Sequence, residues 1–224
     1  MIDRIVSRLM LSSLRRAFRR ICWVGTAPEF PADRPIVLYA NHHNFYDGYL
    51  LWLLSTRLLH RKPVTWMAEW DAFPFFGSVG AFPFPPGDNH RRLRTIRRTS
   101  RLLREDPHSL LFYFPERELH PPEDGIRPIS SAAMARLERI FPPASWWPVA
   151  LHMTSRGDSL PTLLMAGNAY HECIDGREEE RLREQLGWLK ASAHPCERVL
   201  LEGQSSASES WNMRWMRGWF ERYV

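Results

Sequence analysis

Residues 41–47 read Asn41-His42-His43-Asn44-Phe45-Tyr46-Asp47. A neutral imidazole takes up a proton near physiological pH. A carboxylate on its second ring nitrogen fixes the tautomer and stabilises the imidazolium that forms. His42 with Asp47, five residues on, supplies both groups if the chain turns sharply at Asn44. Two other readings stay open at this spacing. Asn44 followed three residues later by Asp47 resembles a helix capping box, in which Asp47 would serve backbone N–H groups and the helix dipole. His43 is a second candidate base, one residue nearer to Asp47.

The flanking sequence must place these groups. Residues 35–40 (Pro-Ile-Val-Leu-Tyr-Ala) form an apolar run after a Pro-rich loop, the signature of a buried strand ending at Asn41. A helix is expected over 46–59. His42 then falls between the end of a strand and the start of a helix, where ligands of open α/β sheets bind. Further strands are expected at 64–68, 109–114, 146–153 and 160–165. Helices are expected at 88–104, with Leu93, Ile96 and Leu103 on one face, and at 130–140 and 178–190. Residues 73–84 read as an aromatic loop. The alternation predicts a single α/β domain whose central sheet is largely parallel or mixed and flanked by helices.

Residues 2–22 carry Ile2, Ile5, Val6, Leu9, Leu14, Phe18 and Ile21 at helical spacing, with Arg4, Arg8, Arg15, Arg16, Arg19 and Arg20 between them. This is the pattern of an amphipathic helix in a membrane interface, or of a terminal helix packed on the domain with a solvated basic face. The expected division is 1–24 as interfacial helix and 25–224 as catalytic domain. A Ser-rich stretch at 203–210 and a Trp- and Arg-bearing helix at 211–223 close the chain.

Other segments accompany residues 41–47 in a fixed order. Met67-Ala68-Glu69, Pro74-Phe75-Phe76-Gly77 and Gly80-Ala81-Phe82 come first, then Phe114-Pro115-Glu116, then Trp147-Pro148-Val149-Ala150. Together with Asn41-His42-x-x-x-x-Asp47, this set resembles the glycerolipid acyltransferases, the group that includes the 1-acylglycerol-3-phosphate and glycerol-3-phosphate acyltransferases. The resemblance covers about residues 36–152. It implies that His42 deprotonates an acceptor hydroxyl, that Asp47 orients His42, and that the hydroxyl attacks the thioester of acyl-CoA or of an acylated carrier protein. It implies acceptor contacts from Pro115, Glu116 and Arg117, with Arg91 and Arg92 as the nearest cations of the second region.

The chain also departs from that family. Pro115-Glu116 is followed by Arg117-Glu118-Leu119 where Gly-Thr-Arg is usual, and Phe84-Pro85-Pro86-Gly87 stands where the second region usually closes on an Arg. The acceptor is therefore expected to be a lysophospholipid or a related lipid alcohol, phosphorylated or not. A membrane-binding protein of little catalytic power on the same scaffold is the alternative, and a hydrolase a third reading.

With 224 residues and 44% hydrophobic content, the chain has enough material for one substantial core. A net charge of +5 points to an anionic partner, and the lipid surface is the expected one. The densest basic stretch, Arg91 to Arg104, suits either a solvated helix face or contact with lipid head groups or coenzyme A phosphates. No nucleic-acid motif accompanies it, so nucleic acid is not an expected partner. No G-x-S-x-G element supplies a serine nucleophile, so transfer without an acyl-enzyme is expected. Cys22, Cys173 and Cys196 are scattered and odd in number. That argues against a disulfide framework and against zinc, and fits a reducing compartment. No metal and no cofactor beyond the thioester co-substrate is expected. No window of 18 apolar residues exists. The expected place of work is the cytoplasmic face of a membrane, peripheral or monotopic.

Overall fold

At the centre of the computed structural model lies the strand β2 (Ile36–Ala40), every residue of which is buried. It pairs in parallel with β5 (Ser109–Tyr113) on one side and β6 (Ser145–Thr154) on the other. A strand flanked on both edges and covered on both faces needs an unbroken apolar run, which Ile36-Val-Leu-Tyr-Ala40 provides. The structure describes residues 1–155, 157–191 and 194–204. The expected Trp-bearing helix at 211–223, and most of the Ser-rich stretch before it, lie outside the described residues.

Eight strands form one mixed sheet in the order β4-β3-β5-β2-β6-β7-β1-β8. The others are β1 (Arg20–Trp23), β3 (Lys62–Met67), β4 (Ala81–Pro83), β7 (Thr162–Ala166) and β8 (Arg198–Glu202). The block β4 to β6 is parallel, β7 runs antiparallel to β6, and β8 antiparallel to β1. Alternate residues of β2 serve opposite faces. Ile36, Leu38 and Ala40 join the core under α1 (Ile2–Ala17) and α2 (Asp47–Arg57). Val37 and Tyr39 join the core under α3 (Asn89–Glu105), α4 (Ser131–Ile140) and α5 (Glu178–Ala191).

Several expectations need correction. The helix read over 2–22 stops at Ala17, because Phe18 is extended and the chain enters β1 inside the sheet. One of the last helical carbonyls is met from outside, that of Arg15 by the Gln204 N–H, and the Gly203 N–H donates to the Arg19 carbonyl just beyond the helix. Val6, Met10 and Leu14 of α1 lie in the core, whereas Ile2, Ile5 and Leu9 are exposed. In α3 it is Thr95, Thr99, Ser100 and Leu103 that are buried, and Leu93 points to solvent. The aromatic loop contains a 3-10 turn, Pro74–Val79, and the short strand β4. Gly80 joins them with φ +99, and a Cβ there would come 1.9 Å from the Pro63 carbonyl oxygen. Gly80 is thus required by close backbone approach. Strand β8 was not foreseen at all.

The cysteines also differ from expectation. Cys22 of β1 and Cys196, just before β8, form a disulfide across 174 residues of sequence, leaving Cys173 free. Pairing of β1 with β8 brings the two together, which no local spacing reveals. The cysteine pattern therefore no longer argues for a reducing compartment.

Candidate active site

Asn41 and His42 leave the end of β2 as Phe114, Pro115 and Glu116 leave the neighbouring parallel strand β5. Both segments sit at the carboxyl edge of the sheet. Asn41 is fully buried and tied to β6 at two points: its Nδ2 donates to the Leu151 carbonyl at 2.9 Å, and its Oδ1 accepts from the Leu151 N–H at 2.8 Å. This fixes the point at which the chain turns off the sheet.

His42 Nδ1 lies 3.0 Å from Asp47 Oδ2. The same oxygen accepts the His43 N–H at 2.8 Å and the Asn44 N–H at 2.8 Å. Asn44 Oδ1 takes the Tyr46 N–H, and α2 starts at Asp47. Half of the capping-box pattern is thus present, in the bond from Asp47 back to the Asn44 N–H. The carboxylate also holds His42, so the capping and pairing readings describe one group doing both. Asp47 Oδ2 accepts from the ring, which assigns a proton to His42 Nδ1 and leaves Nε2 uncommitted to Asp47. Among the described residues nothing bonds to Nε2, and the side chain is 23% exposed. The ring stacks on Phe114 at 4.2 Å, which fixes its plane.

His43 is not placed to act as the base. Its Nδ1 accepts from Asn41 Nδ2 at 3.0 Å and its Nε2–H donates to the Gly125 carbonyl at 2.8 Å. Burial pushes its pKa down, opposed by the Gly125 bond and the nearby Glu116 and Asp47. The ring is held neutral with both nitrogens in use.

The remaining expected site residues have distinct surroundings. Pro115 is buried beside Glu116. The Glu116 carboxylate has no exposure, and its oxygens accept the backbone N–H groups of His42 (2.7 Å) and Arg127 (2.8 Å) and the Nε2–H of His120 (2.9 Å). Arg117 is exposed with φ 69. It stands where the resembling family has glycine, and the backbone there is still left-handed, the conformation glycine adopts without cost. Its guanidinium reaches the Tyr113 hydroxyl, whose pKa burial raises and Arg117 pulls back. Arg91 is engaged by both oxygens of Asp71 at 2.7 and 2.8 Å. Arg92 donates to the Pro85 carbonyl and lies over the Phe84 ring. Neither arginine joins the His42 cluster. Of the same helix, Arg94, Arg97, Arg98, Arg101 and Arg104 are exposed, and Arg98 covers Phe82.

Asn41, Phe114, His120, Gly125 and Arg127 belong to the site but were not foreseen as such. His120 lies in a Pro- and Glu-rich loop with no motif of its own, and only the loop's return beneath residues 41–44 gives it a role. His43, Glu116 and His120 bring ligand-capable atoms within 4.8 Å of one another. Each ring and the carboxylate are already hydrogen-bonded, and hydrogen bonding accounts for the cluster without an ion.

At the carboxyl edge of the mixed α/β sheet the chain thus holds a histidine whose Nδ1 is fixed by a buried carboxylate and whose Nε2 is open. The family model named Acyltransferase matches residues 23–134, which is 112 of 224 residues, half of the chain. The chain belongs to this family and is an acyltransferase. Comparison with curated proteins gives no significant match. Among solved structures, the chain is similar to the 1-acyl-sn-glycerophosphate (LPA) acyltransferase PlsC from Thermotoga maritima. The TM-score is 0.57 at 14% identity, over 85% of this chain and 80% of that one. At that identity the likeness establishes a shared fold.

Proposed function

We propose that this chain is an O-acyltransferase that moves a fatty acyl group from acyl-CoA or acyl carrier protein to a hydroxyl of a lysophospholipid or related lipid, with His42 as general base. The observation that carries the reading is the His42–Asp47 pair, with Nδ1 held at 3.0 Å and Nε2 open. His42 Nε2 takes the proton of the acceptor hydroxyl as its oxygen attacks the thioester carbonyl. The tetrahedral intermediate collapses, the carbon–sulfur bond breaks, and the thiolate leaves with the proton returned from His42. Asp47 stabilises the imidazolium between these steps. The lipid class is supported by the similar Thermotoga protein, a 1-acyl-sn-glycerophosphate acyltransferase. The changed residue at Arg117 leaves the acceptor's head group open.

Aromatic contacts run from the site loop across the molecule: Phe45 touches Tyr46 and Tyr49, Tyr49 touches Phe76, and Phe76 touches Phe73 and Phe75. Phe45, Phe73 and Phe75 are exposed, and α1 packs against the 3-10 turn that carries Phe75. Ile2, Ile5 and Leu9, all more than half exposed, extend this apolar surface beside Arg4 and Arg8. Such a surface suits a peripheral or monotopic seat on a membrane, delivering lipid tails to the site. No helix among the described residues is long and apolar enough to cross a membrane.

The test of the activity is incubation of the purified protein with acyl-CoA and a panel of lysolipids and alcohols, with products identified by mass spectrometry. Ester product and free coenzyme A in equal amounts are expected. Donor cleavage without an acceptor would make it a hydrolase, and no turnover with any pair would favour the membrane-binding alternative. For the membrane seat, Ile5→Asp with Leu9→Asp should weaken flotation with anionic vesicles. Removing residues 1–22 is no fair test, because Val6, Met10, Leu14 and β1 belong to the core and sheet.

A further inference from the structure

The family resemblance implies that Glu116 meets the acceptor, but the structure encloses it. Its side chain and that of His120 have no exposure at all. A buried carboxylate persists only when its oxygens are met by donors, and here three N–H groups meet them. Two of the three come from the loop 117–127, which folds back over Glu116. The loop makes one further bond of consequence: the His120 N–H donates to the His42 carbonyl at 3.2 Å. His42 is therefore gripped on both sides of its own peptide backbone, through its N–H by Glu116 Oε2 and through its carbonyl by the His120 N–H. The ring of His120 closes the circuit by donating from Nε2 to the other oxygen of Glu116. Its edge also meets the ring of His43, which is pinned to Asn41 and Gly125.

We infer that His120 is a positioning residue for the base, and that His120 and Glu116 form a clamp that sets where His42 sits relative to the sheet edge. The inference rests on His42 being the base. The clamp acts on the geometry of proton transfer and not on acceptor binding, because no oxygen of Glu116 is left facing solvent. Small displacements of a reacting group are costly: about 1 Å can lower a rate roughly a hundredfold.

The test compares wild type with His120→Leu, which removes the donor, and His120→Gln, whose amide can donate to Glu116 from a similar place. Steady-state kinetics with acyl-CoA and a lysolipid should show kcat lowered roughly 10-fold to 100-fold in His120→Leu with little change in acceptor KM. His120→Gln should recover most of the turnover. The ring N–H proton of His42 bonded to Asp47, followed by NMR, should broaden in His120→Leu and return in His120→Gln. A raised acceptor KM with unchanged kcat would overturn the proposal by returning Glu116 to acceptor binding. So would an undisturbed His42 resonance with wild-type kinetics in folded His120→Leu. If His120→Leu does not fold, the Glu116 carboxylate 13C resonance of wild type decides: it should not move on lysolipid titration, and a shift overturns the clamp. If wild type itself transfers no acyl group, the proposed activity fails, while the NMR readouts still decide the clamp.

Discussion

Asp47→Asn separates the two jobs that one carboxylate performs. Oδ2 of Asp47 accepts three N–H groups, from His42 Nδ1 at 3.0 Å and from the backbone of His43 and Asn44 at 2.8 Å each. The residue is 1% exposed, so water cannot replace what is lost. An asparagine oxygen occupies the same place without the charge. Bonds to a charged acceptor contribute about 1.5–3 kcal/mol each, against about 1 kcal/mol for neutral partners. Because the oxygen remains and only its charge goes, the expected loss of stability is about 1–3 kcal/mol. For a chain of this size that is a Tm drop of roughly 2–12 °C. The effect on turnover should be far larger. The imidazolium formed during transfer loses its counter-charge, and a flipped amide would present N–H to Nδ1 and enforce the wrong tautomer. Loss of about two to four orders of magnitude is expected. The assay is acyl transfer well below the variant's own Tm, with circular dichroism confirming the fold. A folded variant that turns over within about threefold of wild type would refute the pairing and leave Asp47 a helix cap only.

Other consequences follow from single residues. Arg117→Gly relieves a left-handed φ of 69 and should raise stability by about 0.5–1 kcal/mol after the glycine's extra chain entropy is counted; a lowered Tm would contradict this. Thiol titration of denatured, unreduced protein should find one reactive thiol, Cys173, and three after reduction; three before reduction would exclude the Cys22–Cys196 disulfide. His43 and His171 are both pushed below the usual histidine value of 6.5, chiefly by burial. The unfolded chain therefore binds protons near pH 6.5 that the folded one refuses. Their contribution to stability is present above that pH and lost as the pH falls through it. Urea midpoints should drop between about pH 7.5 and about pH 5.5, and an equal or higher midpoint at the acid end would contradict the assignment.

Much of the site was legible because it is local. His42, Asn44 and Asp47 lie within six residues of sequence, and the apolar run before them announces the strand that ends there. The alternation of such apolar runs with helical patterns made the fold class readable. What escaped depends on distant pairing. Strand β8 and the Cys22–Cys196 bond exist because β1, whose residues continue a helical pattern, enters the sheet between β7 and β8. That pattern runs on through Phe18 and Ile21 because a strand buried on both faces also supplies apolar residues, and periodicity alone does not mark the change at Ala17. His120 was invisible for a similar reason: its partner Glu116 is four residues away, but the group it positions is His42, reached only when the loop folds back. Arg117 illustrates a third case. The replacement of glycine is a true departure in sequence, yet the left-handed backbone persists, so the loop geometry survives the substitution.

Removal of the base tests the central claim most directly. His42→Ala, purified and shown by circular dichroism to be folded, should transfer acyl groups from acyl-CoA to the preferred lysolipid about two to four orders of magnitude more slowly than wild type. Wild-type turnover in that variant would contradict the account and place the chemistry elsewhere in the molecule.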